Sequence, residues 1–283
     1  MDNSVPDYKE TIRQEWTGAA PLWQRWNPKF VVQTRAATAL VIDGADLAPG
    51  MHVLDLASGT GEPSLSVATA VGPTGRVVAT DLVPEMLDAA QHNARAQGHS
   101  HMEFRMADAE QLPFAAAEFD RVTCRFGLMF FPDVQKSLSN IRRVLKPGGR
   151  VSFLSWGSPQ ENVMFSATMG PFQSRAHMPP PPPDAPTIFR FADPAKLAGV
   201  FTAAGFRDTR ATKHQVPWPW PGPPEEAWEA IRELAAPFRK VIESLPPNEQ
   251  QQATQEVLAA LHRLYDGRAV KFSATVILAT ASA

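Results

Sequence analysis

An α/β fold built on a mostly parallel, Rossmann-like sheet is what this 283-residue sequence predicts, with helices ahead of the sheet and a cap inserted after its fifth strand. Three observations carry that expectation. Val53–Leu56 belongs to an apolar run that breaks at Ala57-Ser58-Gly59-Thr60-Gly61 and passes into a helix-forming stretch. Further apolar runs follow and end in acids, at Asp81 and Asp108. Over residues 50–156, strand-like and helix-like segments alternate with short connections, the pattern of parallel strands joined by crossover helices.

The elements follow in order. Residues 1–48 read as a helical lid, in which Trp16, Trp23, Trp26 and Phe30 recur at spacings of seven, three and four and so are expected on one helix face. Residues 49–156 form the core. Its later strands are Arg76–Asp81, a run from Met102, Phe119–Phe126 and Arg150–Trp156, and its helices fall near 62–71, 84–97 and 132–146. Pro84 suits a first helical turn. Residues 157–192 form the cap, where Met164, Phe165, Met169, Phe172 and Met178 precede the run Pro179–Pro183. Five prolines favour an extended, stiff chain. The cap leaves from the carboxyl edge of the sheet, where open α/β sheets bind ligands. Residues 193–283 return to the core. Asp193 and Pro194 start a helix that Gly205 ends, and Phe206–Trp218 reads as a sixth strand. A helical insertion near 224–265 is broken at Pro237 and Pro246-Pro247. Val270, Phe272, Ala274, Val276 and Leu278 then alternate as a closing strand.

The glycine turn carries the chemistry. Gly59 and Gly61 let the backbone turn sharply and let a ligand approach closely. Ser64 stands where a dinucleotide fingerprint has its third glycine. A helix N-terminus holds phosphate through free N–H groups and its dipole, and the Glu62 carboxylate at this one opposes that. A cationic cofactor without phosphate meets no such opposition, which is the character of S-adenosylmethionine (SAM). Asp81, about twenty residues past the glycines, is placed to accept both hydroxyls of a ribose, a position that fits NAD equally well. Asp108 ends the third strand, where a carboxylate can accept from an adenine amino group.

As an ordered set, Asp55–Gly61, Asp81, Asp108 and the turn Leu145-Lys146-Pro147-Gly148-Gly149 resemble the class I SAM-dependent methyltransferases, and within them the UbiE-like small-molecule group. The resemblance implies a seven-stranded sheet whose last strand lies antiparallel between strands five and six. It implies SAM as cofactor, S-adenosylhomocysteine as product, and methylation of carbon, oxygen or nitrogen on a small acceptor. The implied cofactor contacts are Asp55, Ala57, Ser58, Gly59 and Gly61 in the glycine motif, Asp81, Leu82 and Met86 after strand two, and Asp108 and Ala109 after strand three. Arg125 and Phe126 are cofactor candidates by position: they end strand four beside the expected methyl-transfer point, where an arginine can orient a carboxylate or hydroxyl or hydrogen-bond the cofactor's backbone contacts. Small-molecule members cover the site with an N-terminal helix that offers an aromatic and an arginine to the methionine end, for which Trp26 and Arg35 are the candidates. UbiE-type quinone enzymes close the glycine motif with Asp, where Glu62 stands here, and this chain is longer after strand five. The resemblance therefore supports the cofactor and not a quinone acceptor. The Met and Phe residues of the cap suggest an apolar or aromatic one.

Composition narrows the alternatives. A formal net charge of -2 offers no broad basic field for nucleic acid. Arg142, Arg143, Lys146 and Arg150 cluster where a helix C-terminus favours cations. No apolar run approaches the roughly 20 residues of a membrane span, and the N-terminus lacks the shape of a signal peptide. The single cysteine, Cys124, cannot form an internal disulfide, which suits the cytoplasm. No acid and histidine grouping has metal-ligand spacing, so no metal is expected. Displacement at a sulfonium methyl needs positioning more than covalent catalysis. Where an acceptor needs a general base, His177, His214 and His262 in the variable regions are the candidates. The rival reading is a SAM-fold protein that uses the pocket for cyclisation or only for binding. A nicotinamide oxidoreductase is disfavoured by Glu62 and the missing glycine.

Overall fold

The computed structural model describes residues 8–176, 182, 184–235 and 238–283. Seven strands, His52–Leu56 (β1), Arg76–Asp81 (β2), Met102–Met106 (β3), Phe119–Arg125 (β4), Leu145–Trp156 (β5), Arg207–Pro217 (β6) and Ser273–Ser282 (β7), form one sheet in the order β3-β2-β1-β4-β5-β7-β6. The first five pair in parallel, and β7 lies antiparallel between β5 and β6. Because β7 runs against both neighbours, β6 points the same way as β5. The carboxyl ends of β1 to β6 therefore gather at one edge.

Successive residues of a strand face opposite sides, and the central strands are apolar on both. Phe153 and Ile277 pack into one core with helices Val134–Val144 (α4) and Pro194–Ala203 (α7), while Leu154 and Val276 pack into a second core on the other side. That second core is built from helices Tyr8–Ala45 (α1), Pro224–Leu234 (α8) and Pro247–Leu264 (α10). Helices Ser64–Val71 (α2) and Pro84–Ala96 (α3) lie along β1 and β2. Asp133 caps α4 by accepting from the Lys136 N–H at 2.9 Å, and Asp193 caps α7 by accepting from Ala195 N–H at 2.9 Å.

Several boundaries differ from the sequence expectation. The N-terminal region is one 38-residue helix that contains Pro21 and Pro28. Its last turn is anchored to the sheet. Ser152 Oγ donates to Val41 O at 2.8 Å, Arg150 Nε to Gly44 O at 2.8 Å, and Arg121 Nε to Ala45 O at 2.6 Å. β5 begins at Leu145, five residues before the expected start, and β7 covers Ser273–Ser282 rather than 270–278. The cap contains short helices Val163–Thr168 (α5) and Gly170–Gln173 (α6). His177, Met178, most of the proline run and Pro237 lie outside the described residues. No described helix is long and apolar enough to cross a membrane.

Candidate functional site

A cavity of ≈ 290 Å³ opens at the carboxyl edge of the sheet. Each strand delivers a piece of its wall: Ala57–Thr60 follow β1, Asp81 ends β2, Asp108 follows β3, Arg125 and Phe126 finish β4, and Trp156 ends β5. Trp218 follows β6, and the cap and α8 close the far side with Met164, Phe165, Ile231 and Leu234. The cavity thus has a polar half over β1 to β3 and an apolar, aromatic half over β4 to β6.

The polar half is held by short-range hydrogen bonds. Ala57 and Gly59 adopt φ of 53° and 52°, and Gly61 one of 118°. A Cβ on Gly61 would sit 3.1 Å from Leu65 Cδ1, so that turn admits only glycine without strain. Asp81 accepts from the backbone N–H of Gly59 at 2.9 Å and of Val83 at 3.0 Å. One carboxylate thereby ties the glycine turn to the next strand and keeps lone pairs for a diol. Burial holds its carboxyl above the ordinary range. Behind the turn, Asp55 is fully buried and accepts from Ser64 Oγ and Thr123 Oγ1, each at 2.5 Å. Burial pushes Asp55 up to about 7 despite those two hydroxyls.

Arg125 and Glu62 stand between the two halves. Arg125 donates to Thr34 Oγ1 at 2.9 Å and Thr38 Oγ1 at 2.7 Å, and its guanidinium lies over the Phe30 ring. Glu62 accepts from Ser66 Oγ at 2.8 Å, and burial raises its carboxyl against the pull of Arg125. Phe126 has a left-handed backbone, φ 62°, which is rare for an aromatic residue and costs about 1–3 kcal/mol. This conformation accompanies a stack on Trp156, with centroids 4.5 Å apart and planes 14° from parallel.

Of the expected site residues, Ala57, Ser58, Gly59, Asp81, Leu82, Met86, Asp108, Ala109, Arg125 and Phe126 line this cavity. Asp55 and Gly61 do not; they shape the turn from behind. Trp26 and Arg35 are corrections. At 100° per residue, Trp16, Trp23 and Phe30 stay on one stripe while Trp26 sits about 60° around from Trp23. Trp26 packs instead on Trp220 and donates to Glu233 Oε2 at 2.7 Å, and Arg35 is exposed. His214 lies on the exposed edge strand beside Thr212, and His262 pairs with Glu225 on the surface. Neither lines the cavity. Among the described residues no group of side chains is arranged to hold a metal ion.

The ubiE/COQ5 methyltransferase family model matches residues 32–177, just over half of the sequence. This chain belongs to the ubiE/COQ5 methyltransferase family. An uncharacterized protein of Mycobacterium tuberculosis is 37% identical over 143 residues, 50% of this chain and 51% of that one. The ubiquinone/menaquinone biosynthesis C-methyltransferase UbiE of Shewanella oneidensis is 41% identical over 117 residues, 41% of this chain and 47% of the enzyme. The chain spans about half the length of the curated relatives it matches. The crystal structure of YcgJ from Bacillus subtilis shares the fold, with a TM-score of 0.57 at 20% identity over 87% of this chain and 97% of that one.

The cofactor of this methyltransferase family is SAM, and the cavity fits it. The Asp81 carboxylate suits a ribose diol. Buried polar atoms without partners gather in the same wall, among them Ser58 Oγ, Gln33 Nε2, Trp23 Nε1 and Trp218 Nε1. Such atoms are costly when left unpaired, so their concentration here marks a ligand site. Gln33, Trp156 and Trp218 line the cavity without having been singled out as site residues by the sequence. The heptad spacing of Trp16, Trp23 and Phe30 was the available signal for the α1 stripe. Asp108 brought a surprise, because its Oδ2 already meets Lys9 Nζ at 2.6 Å while its Oδ1 accepts from Glu110 N–H at 2.9 Å.

Proposed function

We propose that this chain transfers a methyl group from SAM to a small apolar or aromatic acceptor. The observation that carries the reading is one continuous cavity in which the motif-built polar cradle meets an aromatic chamber at Arg125 and Phe126. SAM, when bound, supplies a methyl group activated by a positively charged sulfur. The chain's own residues position and enclose. Asp81 and the Gly59 turn fix the nucleoside end, and Arg125, Gln33 and Glu62 offer complementary charge and hydrogen bonds to the amino-acid end. Phe126, Trp156, Phe165 and Trp218 bound the space in which an acceptor would lie and keep it dry, which suits displacement at a sulfonium.

The first half of α1 and residues 157–176 and 184–192 of the cap serve as covers in this reading. Trp16, Trp23 and Phe30 line the cavity from α1, and Met164, Phe165 and Met169 line it from the cap. A reducing compartment such as the cytoplasm suits the single, buried Cys124. The test is a panel of apolar and aromatic acceptors with methyl-labelled SAM, read by mass spectrometry. Labelled acceptor together with S-adenosylhomocysteine is the expected result. Conversion of an acceptor without S-adenosylhomocysteine would instead support non-methylating use of the same pocket.

A further inference from the structure

Lys9, Trp16, Trp23 and Phe30 of α1 all line the cavity, at intervals of seven residues. Seven residues make roughly two helical turns, so the four form one stripe along the helix. Three of them are aromatic and the first is a cation. Lys9 Nζ donates to Asp108 Oδ2 at 2.6 Å and to Glu110 Oε2 at 2.9 Å. Glu110 is itself fixed, because its Oε1 accepts from Asp133 N–H at 3.1 Å. The Lys9 and Asp108 side chains are 31% and 25% exposed, so neither is sealed within protein. Their place along the cavity follows from the strand order β3-β2-β1-β4. Arg125, suited to an amino-acid end, finishes β4, and Asp81, suited to a ribose diol, finishes β2. A nucleoside laid in that direction puts its base beyond β2, over the end of β3, where Asp108 and Lys9 stand.

We infer that Lys9 reads the edge of the cofactor's base and so helps set which base is accepted. An adenine edge carries an amino donor beside an acceptor, ring nitrogen N1. Binding exchanges hydrogen bonds rather than adding a free donor. Asp108 Oδ2 gives up the Lys9 N–H and takes one from the amino group, while that same Lys9 N–H turns to N1. Every group keeps a partner, and the contact with Glu110 holds the ammonium in place throughout. The inference rests on the reading of this half of the cavity as the SAM site. It goes beyond that reading, because residue 9 lies outside residues 32–177, the stretch that the family model matches. A charged donor aimed at one ring atom discriminates against a base that lacks the acceptor there.

S-adenosylhomocysteine and its 1-deaza analogue, in which a C–H replaces N1, differ at the one atom concerned. Calorimetry on the full chain compares them. The wild type is expected to bind S-adenosylhomocysteine about tenfold more tightly than the analogue. Lys9→Met keeps a long side chain and loses the charge, and is expected to bring the two affinities within about twofold of each other. A Lys9 that only held α1 in place would, on removal, weaken both ligands alike and leave the tenfold ratio standing. Equal affinities in the wild type, or a preference that survives Lys9→Met, overturns the inference while leaving the cofactor reading intact. Failure of the wild type to bind S-adenosylhomocysteine overturns the cofactor reading instead.

Discussion

Glu62 and Arg125 line the same cavity as opposite charges that feel each other, yet no ion pair joins them. Burial raises the Glu62 carboxyl and lowers the Arg125 guanidinium, each partly offset by the other's field. The side-chain hydrogen bonds of Arg125 go to two threonine hydroxyls. A pair held apart in this way suits a zwitterion between them, and the amino-acid end of SAM is one.

Arg125→Gln is therefore expected to weaken S-adenosylhomocysteine by about 1.5–3 kcal/mol, the range for a hydrogen bond to a charged group. Binding of 5′-methylthioadenosine, which lacks the amino-acid end, should not change. Calorimetry with both ligands makes the comparison. Equal losses for the two would mean that Arg125 supports the whole cradle rather than one end of the ligand.

Asp81→Ala removes the acceptor for a ribose diol and the tie to the Gly59 N–H. Its expected cost to SAM affinity is on the order of 2–3 kcal/mol. Unchanged affinity in a variant with native circular dichroism would show that the ribose is held elsewhere.

Two glycines separate crowding from backbone strain. A Cβ on Gly127 would lie 2.6 Å from Ala57 Cβ and 2.7 Å from Cys124 Sγ, so Gly127→Ala must displace the cradle or the core. Gly59 has a left-handed φ of 52° and nothing within 4 Å of its built Cβ. Gly59→Ala should cost about 1–2 kcal/mol of backbone strain, and Gly127→Ala more: its φ of -98° carries no such strain, but its Cβ would overlap two packed neighbours at once. Chemical denaturation of both variants ranks them; the reverse order would disprove this account.

Asp55 gives a pH signature. Its carboxyl is pushed from 3.8 up to about 7, so between those values the folded state binds more protons than the unfolded chain. Its contribution to stability is then greatest at low pH and declines as pH rises toward 7. Asp55→Asn lacks that decline. The wild type should lose ground to the variant by an amount on the order of a few kcal/mol between pH 4 and 7. Parallel stability curves would mean that Asp55 titrates as an ordinary carboxyl.

Hydrogen exchange tests the covers. With S-adenosylhomocysteine and an acceptor added, amides in 8–35 and 157–176 should exchange more slowly, alongside those in 55–62, 81–86 and 108–109. Protection confined to the last three segments would leave α1 and the cap as structural packing.

The half of the site that a family motif builds was legible, because a glycine turn and strand-ending acids announce themselves one residue at a time. The sheet order, with β7 between β5 and β6, was legible only through the family resemblance that those motifs carry. The aromatic half was not. Trp218 and Phe165 stand far apart along the chain and share the chamber only once α8, the cap and β6 have packed. Trp26 misled because an aromatic on a helix reads alike whichever core it enters. The difference was about 60° of helical phase and a carboxylate, Glu233, 207 residues away.

Pro21 and Pro28 divide α1 into two mechanical parts. Neither can donate to the carbonyl four residues back, so the helix bends there at less cost than elsewhere. Downstream of Pro28 the helix is bolted to β4 and β5 through Arg121, Arg150 and Ser152. Upstream, the Lys9 ion pairs with Asp108 and Glu110 help hold it across the mouth of the cavity. The arrangement is that of a drawbridge with a fixed abutment and a latch at its tip. A swing of that span would move no strand, but it would have to release Asn27 from Thr60 in the glycine turn and Trp26 from Glu233 on α8.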